Sequence, residues 1–263
     1  MSRFEISLAA WSLYPLVRDR GLKQIEFPEL CRREFDLGGL ELLNTFFPSP
    51  QYRYCNELKQ RAADHGVKLL LIMCDHEGDM SSSDRAERRQ AVRNHRKWVD
   101  VALVLGCHSI RCNVGKAQPG DAGAIAACAE SFADLVEYAR PDGLHILIEN
   151  HWGLSSDPDS LLALIQRVND PLLGTLPDFG NFPKGVDKYD AVRRMMPHAK
   201  AVSAKCHDFD ASDNETGIDY ARMLRIVLDA GYRGWIGIEY EGTRLDPIAG
   251  IKACRQLLDR FRR

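Results

Sequence analysis

Eight short apolar runs, each closed by turn-forming residues, alternate along this chain with longer amphipathic stretches. The runs cover Glu5–Ala10, Gly39–Leu43, Lys68–Cys74, Ser109–Asn113, His145–Asn150, Gly174–Asp178, Ala201–Lys205 and Trp235–Tyr240. A run of five to seven apolar residues with no polar alternation suits a strand covered on both faces, and a helix-length segment between such runs suits a parallel crossover. The intervening stretches have recognisable ends. Ser156 with Pro158 just inside opens a helix over Asp159–Val168, and Asp219 opens Tyr220–Ala230, with Gly231 as its stop. A longer helix from about Asp84 to Leu105 turns Val92, Trp98, Val99, Ala102 and Leu103 inward, and Arg85, Glu87, Arg88, Arg89 and Arg96 outward as a solvated face.

Eight βα units predict closure into an α/β fold of the (β/α)₈ TIM barrel type, in one domain spanning residues 1–263. A doubly wound open sheet is the competing topology. Against it, no Gly-x-Gly-x-x-Gly follows the first run and no Gly-x-x-x-x-Gly-Lys-Ser/Thr occurs anywhere. At 45% hydrophobic and 27% charged residues, the composition is that of an ordinary folded domain, and its apolar runs are too short to span a bilayer. No membrane partner is expected. The start of the chain lacks the basic and apolar regions of an export signal, and eight cysteines are scattered without a Cys-x-x-Cys pair. Reduced thiols in a cytoplasmic protein are the expectation. A formal net charge of −2 offers no field for nucleic acid.

In a parallel barrel the chemistry sits at the C-terminal ends of the strands. The fifth run passes into Glu149-Asn150-His151, the sixth into Pro177-Asp178-Phe179-Gly180-Asn181, and the eighth into Glu239-Tyr240-Glu241-Gly242. One carboxylate after a strand is commonly a cap or a solvated loop residue. Three converging on one rim repel each other out of water unless a cation compensates, so a divalent metal held by Glu149, Asp178 and Glu239 is expected. Oxygen-rich ligation suits Mn²⁺, Mg²⁺ or Co²⁺, with Zn²⁺ as an alternative. Around them, Trp11 and Ser12 follow the first strand, Glu41 and Asn44 lie on or after the second, Asp75, His76 and Glu77 follow the third, and Arg111 and Asn113 finish the fourth. Trp11, Glu41, Asn44, Arg111, Asn113, His151 and Asn181 are the candidate substrate contacts, and four of them have a blander reading. Trp11 would pack the mouth, Arg111 would pair with Asp75 or Glu77, His151 would cap a helix, and Asn181 would turn the chain in the left-handed region.

The segments Ile-Glu-Asn-His, Pro-Asp-Phe-Gly-Asn, Ser-Ala-Lys and Ile-Gly-Ile-Glu-Tyr-Glu-Gly resemble those of the xylose isomerase-like barrels called sugar phosphate isomerases/epimerases, in order and spacing over nearly the whole chain. The resemblance implies a metal held by a glutamate of strand five, an aspartate of strand six, a histidine of strand seven and a glutamate of strand eight. Here strand seven offers either Ser203 and Lys205, or, aligned on Asp208, Lys205 and His207, where the histidine and lysine of that pattern fall, and neither register supplies the histidine. Three carboxylates with water, His207 as a nitrogen ligand reaching back, and Lys205 neutralising the carboxylates with no metal all remain open.

The implied reaction is proton transfer through an enediolate, making the protein a metal-dependent isomerase or epimerase of a keto-sugar or related polyol. Glu149 and Glu239 would be its acid–base pair and Lys205 would bond the oxyanion. The alternatives are a dehydratase or lyase acting on a related keto-polyol or keto-acid, and a non-catalytic carbohydrate-binding barrel. Multi-metal phosphodiester cleavage would need more histidine and aspartate ligands. The expected partner is a small-molecule sugar, and similar barrels form homo-oligomers by pairing through their helices.

Overall fold

The structure, a computed structural model, describes residues 3–262. Its strands are β1 Glu5–Ala9, β2 Gly39–Leu43, β3 Lys68–Cys74, β4 Ser109–Cys112, β5 His145–Glu149, β6 Leu173–Leu176, β7 Val202–Cys206 and β8 Trp235–Tyr240. Between them run the helices α1 Tyr14–Arg20, α2 Phe27–Phe35, α3 Tyr52–Asp64, α4 Arg85–Leu105, α5 Ala122–Ala139, α6 Pro158–Val168, α7 Lys188–Met195, α8 Tyr220–Asp229 and α9 Pro247–Arg262. All strand pairs are parallel, and β1 pairs with both β2 and β8, so the sheet curls back on itself. The expected (β/α)₈ TIM barrel is formed.

Closure between β6 and β7 is thinner than elsewhere. Pro177 ends β6 because it has no N–H to give to a ladder. The two strands are joined there by single bridges, Thr175 with Ala199 and Asp178 with Ser203. The bonds are Lys200 N–H to Thr175 O at 3.1 Å, Ser203 N–H to Pro177 O at 2.9 Å and Phe179 N–H to Ser203 O at 3.1 Å. The sixth strand is therefore Leu173–Leu176 rather than Gly174–Asp178, and Asp178 stands beyond it, on the bridge. β7 sits one residue later than the sequence suggests.

Helix ends follow side-chain chemistry. Asp84 caps α4 by accepting from Ala86 N–H at 2.7 Å, and Asp219 caps α8 through Arg222 N–H at 3.0 Å. At α6 the cap is Asp157, which accepts from Ser160 N–H at 2.8 Å, while Ser156 spends its hydroxyl on Gly153 O. α4 buries Val92, Trp98, Val99 and Ala102 as its periodicity requires, with Leu103 half-buried. Arg88 departs from the expected solvated face. It is buried between α4 and α5, where it donates to Ser82 O and pairs with Glu130. All eight cysteines are buried and unpaired. Among the described residues no helix is long and apolar enough to cross a membrane.

Candidate active site

Side chains alternate between barrel interior and helix layer, so the register fixes which residues share the interior. Ser203 and Ser7 stand level with Gly237, and Lys205 stands level with Glu239. Glu41 stands level with Ala9 of β1 and reaches into the interior beside Ser7 and Gly237. A Cβ at Gly237 would lie 2.3 Å from Glu41 Oε1, so only glycine leaves room for that carboxyl. Ser7 donates to Glu41 Oε1 at 2.6 Å, and Oε2 has no partner. Glu41 is thus enclosed, only 1% exposed, and burial raises its pKa to about 7.

In the same interior, Glu149 from β5, Asp178 beyond β6 and Glu239 from β8 meet. Each offers a carboxylate oxygen, and these oxygens lie within 4.8 Å of one another. All three side chains are buried. The Asp178 carboxylate is fixed from behind, with Oδ1 accepting from Gly180 N–H and Asn181 N–H, both at 2.7 Å. Asn150 clamps the same residue, its amide bonding Asp178 N–H at 2.7 Å and Asp178 O at 3.0 Å. Asp178 Oδ2 is left buried without a hydrogen-bond partner. Glu149 Oε1 accepts from Asn181 Nδ2 at 3.1 Å. Asn181 therefore serves the carboxylates, and it is not among the residues with positive φ that the turn reading required.

Two cations stand against the three acids. Arg111 lies with Nε 3.0 Å from Glu149 Oε2, an ion pair off the hydrogen-bond line, and donates from Nη1 to Asp75 Oδ1 at 2.8 Å. The internal pairing with Asp75 is therefore formed. Lys205 Nζ is 2.6 Å from Glu239 Oε1, 2.6 Å from Glu241 Oε1 and 3.8 Å from Asp178 Oδ2. Ser203 donates to Glu239 Oε2 at 3.1 Å.

The surroundings push the carboxyls apart. Burial raises Glu149 well above the usual carboxylate range, despite Arg111 beside it. Burial acts the same way on Glu239, but the Lys205 ammonium overcomes it and holds that pKa at about 2. Burial also raises Asp178, with Lys205 opposing it.

A divalent cation fits this donor set. Three hard oxygen ligands converge, and the unpartnered Asp178 Oδ2 is already desolvated. His207 is not in the cluster. Its side chain is half exposed, its N–H reaches Glu215 Oε1 at 3.3 Å, and its ring lies 4.0 Å from the same carboxylate. The chain has already turned there, with His207 O packed so close to Gly242 that a Cβ would overlap it. The strand-seven position that the resemblance gives to histidine is filled by Ser203 and the Lys205 ammonium.

The remaining rim residues form one network. Asn113 donates to Asp75 at 2.8 Å and faces His151 Nδ1 at 3.2 Å, and burial lowers the His151 pKa to about 4, keeping the ring neutral. Asn44 bonds Asp75 N–H and O and reaches Glu77, tying the loops after β2 and β3 together rather than facing the cluster. Trp11 is half-buried, its ring stacked on Tyr14 with centroids 4.8 Å apart. Glu241 and Asn150 were not singled out from sequence, although both had a signal. Glu241 is two residues beyond Glu239 and so on its side of the strand, and Asn150 directly follows Glu149.

The fold recurs among known proteins. A family model described as xylose isomerase-like TIM barrel matches residues 16–262. A protein of Mus musculus named "Putative hydroxypyruvate isomerase" is 26% identical over 223 residues, 77% of this chain and 80% of that protein. The C-glycoside deglycosidase alpha subunit of Arthrobacter globiformis is 35% identical over 72 residues, 25% of this chain and 20% of that subunit. Among solved structures, a D-tagatose 3-epimerase-like protein superimposes with a TM-score of 0.79 at 17% identity, covering 98% of this chain and 97% of that one.

Proposed function

The chain belongs to the family of xylose isomerase-like TIM barrels, and from that membership we propose that it is a divalent-metal-dependent isomerase or epimerase of a small hydroxy-ketone, a keto-sugar or a related polyol. The observation that carries this reading is the meeting of Glu149, Asp178 and Glu239 at the mouth, with oxygens within 4.8 Å of one another. Mn²⁺, Mg²⁺ or Co²⁺ suits these ligands. Held by Glu149, Asp178 and Glu239, such an ion would supply Lewis acidity for the negative charge that develops on substrate oxygen.

The protein's own groups move the proton. Glu239, which the Lys205 ammonium already keeps ionised before any cation binds, is the acceptor for the carbon-bound proton. Glu149 comes from β5, across the mouth, and handles the proton on the other face of the substrate. Return to the same carbon from that face is epimerisation, and return to the adjacent carbon is isomerisation. The Lys205 ammonium donates to the developing oxyanion. Asn181 and Arg111 fix the Glu149 carboxyl, and Asn150 fixes Asp178, so the acids are oriented before substrate arrives.

The test is solvent deuterium incorporation into hydroxypyruvate, D-tagatose and related ketoses, with Mn²⁺ supplied. Glu149→Gln and Glu239→Gln should each slow incorporation by about 10²–10⁴-fold, the usual contribution of a positioned acid or base. Full incorporation by either variant ends the two-base reading. Loss of water from the substrate in place of exchange would move the protein to the lyases.

A further inference from the structure

Lys205 carries its charge into the place where the cation would sit. Its ammonium touches Glu239, a carboxylate of the cluster, and Glu241, a carboxylate outside it, at 2.6 Å each, and lies 3.8 Å from Asp178 Oδ2. An ammonium and a divalent ion sharing Glu239 repel, and with Lys205 only 2% exposed, solvent does little to screen them. Both cannot hold the same oxygens.

The strand supplies somewhere for the ammonium to go. Glu239 and Glu241 are two residues apart and so project to one side. Glu241 N–H bonds Cys206 O at 2.8 Å, prolonging the β7–β8 ladder by a step. The Glu241 side chain is 36% exposed against 7% for Glu239, making it the wetter of the two carboxylates. The stem of the lysine has little freedom. A Cβ at Gly180 would lie 2.6 Å from Lys205 Cγ, so the loop after Asp178 packs directly on it. Only the end of the side chain is free to shift.

We propose that Lys205 is a built-in competitor for the metal of the acidic cluster, and that Glu241 is the anchor to which its ammonium withdraws when a divalent cation takes Glu239 and Asp178. This rests on the metal-dependent reading given above. It makes metal affinity in this barrel a property of the Lys205–Glu241 pair as well as of the ligands. Two residues in direct contact then have opposite effects: losing Lys205 removes the competitor, whereas losing Glu241 leaves the competitor with no alternative partner.

Mn²⁺ titration of chelator-treated protein, followed by the electron paramagnetic resonance signal of the free ion, reads this without turnover. Lys205→Met should bind Mn²⁺ about tenfold tighter than the unaltered chain, and Glu241→Gln about tenfold weaker, within the usual range of coupling between sites. In the Lys205→Met background, Glu241→Gln should change nothing, because Glu241 acts only through the lysine. A Glu241 that is itself a ligand, or merely structural, would weaken binding equally in both backgrounds and overturn the proposal. So would a Lys205→Met protein that binds no tighter. If Lys205→Met does not fold, Lys205→Gln, which keeps a donor for Glu239, carries the same comparison. Mn²⁺ binding to none of these folded proteins would remove the metal reading and the competitor with it, whereas tight binding indifferent to Lys205 would remove the competitor alone.

Discussion

Glu41 stands in the middle of β2 with one oxygen bonded to Ser7 and the other unpartnered, and burial lifts its pKa from 4.5 to about 7. An unfolded chain releases that proton near pH 4.5 and the folded one retains it until about 7. Its contribution to stability is therefore complete below about 4.5 and is lost as pH rises through 7. The shift corresponds to about 3 kcal/mol. In chelator-treated protein, Glu41→Gln should remove a decline of roughly that size in unfolding free energy between pH 4.5 and 8, leaving a flatter profile in denaturant melts. Parallel profiles for the two proteins would mean that Glu41 ionises normally inside the barrel. Its position also marks how far the site was legible. Glu149, Asp178 and Glu239 could be read because each follows an apolar run directly. Alternation tells which side of a strand a residue faces, but it does not tell how closely the interior encloses it, and Glu41 is only 1% exposed. Lys205 and Glu241 illustrate a second limit, since their pairing depends on the register between β7 and β8, which neither strand encodes alone.

Strands were legible because a parallel barrel covers both their faces and leaves an uninterrupted apolar run, and β2, β3 and β8 have the expected limits. Where an element ended for a reason of hydrogen bonding, its limit shifted, as at Pro177 beyond β6. The start of α6 is the helical counterpart. Ser156, Asp157 and Pro158 present two capping side chains in succession, and only the geometry shows that Asp157 takes the Ser160 N–H and hydroxyl while Ser156 turns back to Gly153. Asp157→Ala should accordingly cost about 1–2 kcal/mol of unfolding free energy, and Ser156→Ala no more than about 0.5 kcal/mol, measured in the same denaturant series. Equal losses would mean that the two residues share the cap. The orientation of α6 matters to the site because the loop before it follows β5, from which Glu149 projects.

At the scale of the whole barrel, the seam between β6 and β7 is its most thinly bonded join. β7 and β8 are held by a ladder from Val202–Ile236 to Cys206–Tyr240, whereas β6 and β7 share only isolated bridges. The acidic cluster straddles this seam. Glu149 and Asp178 belong to its β5–β6 side and Glu239 to its β7–β8 side, so a cation bound by all three ties the edges together. Opening the seam would then require releasing the ion, which adds RT ln(1 + [L]/Kd) to the cost of opening. With Mn²⁺ at a hundred times its Kd, the amides of Phe179 and Ser203 should exchange with solvent about a hundredfold more slowly than in chelator-treated protein. Amides that fray at the start of α6 need no seam opening and should not respond. Residue-resolved hydrogen exchange separates this from general stabilisation, because an ion that merely shifted global unfolding would slow only the amides that exchange through it. Seam amides indifferent to Mn²⁺ in a protein that demonstrably binds it would place the ion on one side of the seam and exclude a site shared by Glu239 with Glu149 and Asp178.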